Sequence, residues 1–288
     1  MPRRLRVASL FAVAVSHLIL NACSGSSAAP DAASVGGAGS AGSGAGMGGA
    51  TGGGGAGGMS GAAAVTDSGS PFHPSTLKVV DKSDAPSTGL VVVALNPQIN
   101  ATIQSVEIFG VVRNDSDKLH CFPKVGLSLL SGGTVVFTGT AQVDAPSAYV
   151  LQAKDTQPMP CMAPKTVAPF HAIGDASGSA VDTADVTFST ADFPGAFAAS
   201  SYPTLSGTVM GTMPNGEYGF SGEAQISTAI HNVALVGYPR DASGLPLGRL
   251  QAFNLSTLPP GPWKFTTSSG VKSPFHDVLV AISYLSGP

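Results

Sequence analysis

Val125-Gly126-Leu127-Ser128-Leu129-Leu130-Ser131-Gly132-Gly133-Thr134-Val135-Val136-Phe137 is the stretch that decides the fold class. Two runs rich in branched aliphatic residues flank Ser131-Gly132-Gly133, and a glycine pair between such runs is a hairpin signal. The second run continues to Val143. Upstream, Thr102–Val112 alternates, with Ile103, Ser105, Glu107 and Phe109 set against Gln104, Val106 and Ile108. That is the period of a half-buried strand. Leu90–Leu95, Val167–Ile173 and Val186–Phe188 continue the texture. The second half repeats it in Leu205–Met213, Tyr218–Ile226, Val233–Tyr238, Leu247–Leu255, Trp263–Thr267 and Val278–Leu285. No stretch carries a convincing amphipathic helical period. The chain from residue 71 onward is therefore expected to be all-β, one or two sandwiches, and about 215 residues with this many strands fit two, over 71–190 and 191–288.

The N-terminus reads differently. Arg3, Arg4 and Arg6 precede an apolar run from Val7 to Leu20, which ends in Leu20-Asn21-Ala22-Cys23. A basic segment followed by a short apolar one is an export signal, too short for an ordinary membrane span. The Leu-x-Ala-Cys ending resembles the lipobox of bacterial lipoproteins, although Asn21 stands where that pattern prefers a small or apolar residue. The resemblance implies a signal peptide over 1–22, cleavage before Cys23, acylation of the Cys23 thiol, and membrane lipid as the first partner. Ser24 rather than Asp after the cysteine implies the outer membrane, at its surface or periplasmic face. No later apolar run reaches the roughly 18 residues a spanning helix needs.

Residues 24–70 are almost wholly Gly, Ala and Ser, with Asp31 and Asp67 as the only charges and no aromatic residue. Such a segment cannot form a core and is expected to be a disordered tether, with a root-mean-square span of roughly 35–40 Å. Gly37-Ala38-Gly39-Ser40-Ala41-Gly42 matches the dinucleotide fingerprint in letters only, since no strand precedes it and no helix follows. Gly-rich tethers behind a lipobox resemble those of myxobacterial-type lipoproteins. The formal charge of −3 becomes −6 once three arginines are cleaved, leaving 11 basic against 17 acidic residues. With no basic patch to follow a phosphate backbone, nucleic acid is not an expected partner.

Gly110-Val111-Val112-Arg113-Asn114-Asp115-Ser116, with Val125–Leu130 and the Gly132-Gly133 turn, resembles the opening of bacterial FxLYD-type domains. In the second half Gly222, Val233, Leu235, Tyr238, Asp241 and Gly244, then Leu258-Pro259-Pro260-Gly261 and Trp263-Lys264-Phe265, resemble later elements of that pattern. The F-x-L-Y-D letters are absent from the first half, Pro239-Arg240 separates Tyr238 from Asp241, and the second half lacks N-x-S. The resemblance implies immunoglobulin-like sandwiches without catalytic residues. Read by themselves, Asn114–Asp117 end a strand, because short polar side chains bond to nearby backbone.

Two tripeptide and tetrapeptide echoes point to an internal duplication: Pro-Phe-His ending at His73, His171 and His276, and Asp-Ala-Ser-Gly at 175–178 and 241–244. After Cys23, the remaining cysteines Cys121 and Cys161 are expected to form a disulfide in an oxidising compartment. Alternatives are two free thiols or a copper site with Met159, Met162 and His120, since soft sulfur suits Cu(I). Asp175, Ser177, Asp182 and Asp185 gather oxygen ligands of the kind calcium takes, without EF-hand spacing. The histidines form no H-E-x-x-H pair, and there is no G-x-S-x-G elbow or phosphate-binding loop. No cofactor, metal or catalytic residue is assigned. Trp263, after a proline turn, is the candidate ligand contact, its other reading being a core residue. The expected function is non-catalytic: binding a protein or polysaccharide partner, or a structural role, at the cell envelope. The alternative is a secreted hydrolase or metal-binding envelope protein with an unrecognised site.

Overall fold

The computed structural model describes residues 73, 76–83, 88–151, 157–178, 180–191, 196–200 and 202–286. The signal peptide, Cys23 and the tether lie outside the described residues. The described residues form sixteen strands: β1 Lys78–Asp81, β2 Leu90–Asn100, β3 Ser105–Asn114, β4 His120–Ser131, β5 Thr134–Gln142, β6 Tyr149–Leu151, β7 Cys161–Met162, β8 Val167–Asp175, β9 Thr183–Ala191, β10 Phe197–Ala199, β11 Thr204–Thr212, β12 Tyr218–Ile226, β13 Ile230–Arg240, β14 Leu250–Asn254, β15 Gly261–Thr266 and β16 Asp277–Ser286. The expectation of an all-β, sandwich-type fold holds, and each of the twelve strand-like runs falls on a strand.

Four sheets carry the architecture. Sheet 1 has the order β2-β3-β8 and sheet 2 the order β1-β9-β4-β5, with β7 on β4. Sheet 3 is β11-β12-β15 and sheet 4 is β14-β13-β16, while β6 and β10 form a ribbon of their own. Alternation places Val106, Ile108 and Val112 of sheet 1 against Val125, Leu127 and Leu129 of sheet 2, the first core. Phe220, Ala224 and Ile226 of sheet 3 meet Leu235, Leu250 and Ile282 of sheet 4 in the second. The β4–β5 turn is the one the sequence announced: Ser131 pairs with Thr134, and Gly132 and Gly133 have φ of 54° and 84°. Two positive-φ residues make the primed turn that matches strand twist.

The second half repeats the pairing of the first. β3 lies between β2 and β8 as β12 lies between β11 and β15, and β4 lies between β5 and β9 as β13 lies between β14 and β16. The β3–β8 and β12–β15 registers agree, whereas the bulges of β2 and β11 fall at different places. Gly110 faces Phe170 across β3–β8, and Gly222 faces Phe265 across β12–β15. In each pair the ring lies over the glycine: a Cβ on Gly110 would sit 2.2 Å from Phe170 Cζ, and one on Gly222 2.9 Å from Phe265 Cζ. Both middle strands bulge at the same place, with Phe122 and Asn232 each at φ 48°. The Pro-Phe-His and Asp-Ala-Ser-Gly echoes do not mark this repeat. His171 lies within β8 and His276 before β16; Asp175 ends β8 and Asp241 follows β13.

Two strand expectations shift in detail. Thr102–Gln104 is a turn, and β3 starts at Ser105. The Asn100 carboxamide oxygen accepts the N–H groups of Thr102 and Ile103 (3.1 and 3.4 Å), and Gln104 adopts φ 50°. That local bonding outcompetes strand pairing. The proline-rich segment around Cys161 contributes only the two-residue β7, as missing backbone donors require.

Candidate functional site: the cleft between the two halves

The outer faces of sheets 1 and 4 pack on each other. Val93, Ala94, Phe109 and Val111 of sheet 1 meet Val236, Tyr238 and Leu279 of sheet 4 in a third apolar cluster. Polar bonds frame it. The Tyr238 hydroxyl donates to Asp144 Oδ2 (2.7 Å), as does Arg249 Nε (3.2 Å). Asn96 Nδ2 donates to the Pro246 carbonyl (2.7 Å) and Gln98 Nε2 to that of Leu247 (3.3 Å). Burial, reinforced by the Asp144 charge, pushes the Tyr238 hydroxyl well above the usual phenol range. Asp144 likewise keeps the half-buried Arg249 charged against its own desolvation.

Beside this junction lies a cleft of about 1030 Å³. Its first wall is the uncovered end of sheet 1, where Gln98, Glu107 and Ile173 stand in one cross-strand row. The next row, Asn96, Phe109 and His171, forms the inner edge. The second wall comes from Leu247–Gln251, Ser269–Ser273 and Glu217. Ile103 and Ile173, exposed at 68% and 65%, stand at the lip. The His171 ring stacks on Phe109 with centroids 5.0 Å apart and planes 6° from parallel. Burial, with Arg249 adding repulsion, holds its pKa down to about 4, so the ring is neutral at pH 7. Its Nε2 lies 3.9 Å from Glu107 and has no hydrogen-bond partner among the described residues. Glu217 accepts from Asn215 Nδ2 (2.8 Å) and the Gly270 N–H (3.3 Å), both neutral donors.

The residues singled out in the sequence lie elsewhere. Cys121 and Cys161 form the expected disulfide, joining β4 to β7; their sulfurs are therefore not thiolate ligands, and Met162 is buried in the first core. His120 Nε2 shares a hydrogen bond with Ser116 Oγ (3.0 Å). Asp182 accepts from the Gly132 N–H (2.6 Å) and Thr183 Oγ1 (2.9 Å), which holds its carboxyl below the usual range. Among the described residues no three His, Cys, Asp or Glu side chains are grouped to hold a metal. Trp263 is half-buried on β15, 5.6 Å from Phe265 between ring centroids, against the second core. Asn114 is a structural hub. Fully buried, it donates to the carbonyls of Lys118, Met162 and Ala163 (2.8, 3.3 and 3.0 Å) and accepts from the Ser116 N–H (3.0 Å).

Sequence reasoning missed the cleft because its walls come from five separate segments. One signal was available: of the chain's three glutamates, two line it, one from each half. No protein-family model matches the chain, and a search of curated proteins finds no match.

Proposed function

We propose that this chain is a lipid-anchored envelope protein, tethered to the outer membrane through acylated Cys23, that binds a partner in the cleft between two immunoglobulin-like modules of FxLYD type. The anchor rests on the basic segment, the apolar run and Leu20-Asn21-Ala22-Cys23. The module assignment is supported by the placement of the quoted motif: Gly110 lies against Phe170, and Asn114 ends β3 as a buried hub. The role is non-catalytic binding, and one observation carries it. The cleft is open, mixed in polarity and built by both halves, and ligand sites favour such junctions.

Both parts are open to test in cells. Cys23→Ser abolishes incorporation of labelled palmitate; persistent labelling refutes the anchor. A photo-crosslinking p-benzoylphenylalanine at Ile103 gives a discrete adduct with an envelope component, and the same group at Thr187, on the outer face of sheet 2 and lining neither the cleft nor the smaller pocket beside Thr138, does not. Equal or absent crosslinking at the two positions refutes the cleft as the binding site.

A further inference from the structure

Resting on that reading, we propose that the cleft takes an extended peptide segment that carries basic and aliphatic side chains on the same side. The charges point this way. Arg249 is already neutralised by Asp144, which leaves Glu107 and Glu217, one on each wall, against Lys272. The basic side chain beside Glu107 is His171, 3.9 Å away, and burial keeps that ring uncharged at pH 7. The cleft thus presents a net negative charge to a ligand, and charge complementarity selects a cationic one.

The apolar groups supply the second half of the argument. In the row Gln98–Glu107–Ile173, a carboxylate stands beside an isoleucine that is 65% exposed. Ile103, from the β2–β3 turn, adds a second uncovered isoleucine on the same lip. Every second side chain of an extended chain faces the same wall, so one side chain can reach Glu107 while the side chain two positions on lies on Ile173. A saccharide is disfavoured by the same geometry. Sugars stack on open aromatic faces, whereas Phe109 is 4% exposed and covered by the His171 ring.

The test uses the full mature chain carrying Cys23→Ser, which dispenses with detergent, and three fluorescent probes: (Lys-Lys-Ile-Ile)₃, (Glu-Glu-Ile-Ile)₃ and neutral dextran. The lysine peptide binds, the glutamate peptide and dextran do not, and binding weakens with added salt. Glu107→Gln raises Kd about three- to fivefold, and adding Glu217→Gln raises it further. Lys272→Ala lowers Kd roughly twofold, a change of opposite sign that general damage to the fold cannot produce. Hydrogen exchange in residues 98–107 slows on binding to the parent protein. Failure of the lysine peptide to bind, equal binding by the parent and the two glutamine variants, or a preference for (Glu-Glu-Ile-Ile)₃ or dextran overturns the proposal. If Ile103 still crosslinks in cells, only the ligand class is wrong; if it does not, the cleft reading falls as well.

Discussion

The two halves share one ladder and pin it by different means. Where the first half joins Cys121 to Cys161, the register places His231 opposite Thr257, and those side chains share a hydrogen bond of 2.6 Å. Where the first half buries Asn114 at the end of β3, the second buries Ile226 at the end of β12. The outer faces invert as well. Gly126 and Ser128 of sheet 2 pair with Thr140, Thr187, Thr138 and Asp185, all on an open face. Their counterparts in sheet 4, Val236 and Tyr238, are buried at the junction. Topology thus constrains glycine–aromatic packing and the bulge, while cross-links, hubs and outer faces answer to local surroundings.

Four experiments press on that contrast, in descending order of effect. Replacing Cys121 and Cys161 together by Ala opens a loop of 40 residues' separation and lowers stability by about 4 kcal/mol in chemical denaturation. A loss below about 1 kcal/mol would mean that the β4–β7 pairing holds itself. Asn114→Ala strips a donor from three carbonyls and costs about 3 kcal/mol, and Ile226→Asn costs as much by burying an unpaired amide. If Asn114→Ile, which copies the second half, is silent, the hub is dispensable.

His171 supplies the third test, since its register counterpart Thr266 lies on an open face and does not titrate. The folded-state pKa of His171 is held near 4, below the 6.5 of the free side chain. The unfolded chain therefore takes up the proton first. The stability conferred by neutral His171 is complete above pH 6.5 and is lost as pH falls towards 4. The loss is about 1–2 kcal/mol, allowing for solvent at the partly exposed ring. His171→Leu flattens the denaturation midpoint between pH 4 and 7 relative to the parent; an unchanged slope removes His171 from the account. The smallest effect is expected at Thr257→Val, which breaks the bond to His231 at the surface and costs no more than about 1 kcal/mol.

Much of the fold was legible in the chain. Runs of branched residues gave the long strands, and Gly132-Gly133 gave the hairpin, because side-chain period and positive φ are local properties. β1, β6, β7 and β10, of two to four residues, are too short to carry a period. The disulfide was expected from the two cysteines that remain after Cys23, on the expectation of export. The junction was hidden for a different reason. Val233–Tyr238 reads as one apolar run, and nothing local says that Leu235 faces a core while Val236 and Tyr238 face the other half. The duplication was sensed from the wrong letters, since its true marks are a glycine facing a ring and a bulge, both properties of pairing across strands.

The junction joins non-equivalent surfaces: sheet 1 of one copy against sheet 4 of the next. A contact of that kind does not close on itself, and repeated from molecule to molecule it would build a filament. The two surfaces left over are sheets 2 and 3. Sheet 2 offers Lys124, Gln142 and Ser189 in one row, and sheet 3 offers Ser206, Glu223 and Lys264 in another. Charged and hydroxyl side chains in these rows oppose an apolar contact, as polar caps do in repeat proteins, with Val209 an exposed exception on sheet 3. Substituting the counterpart residues Val and Tyr for Gly126 and Ser128 would recreate an adhesive end on sheet 2.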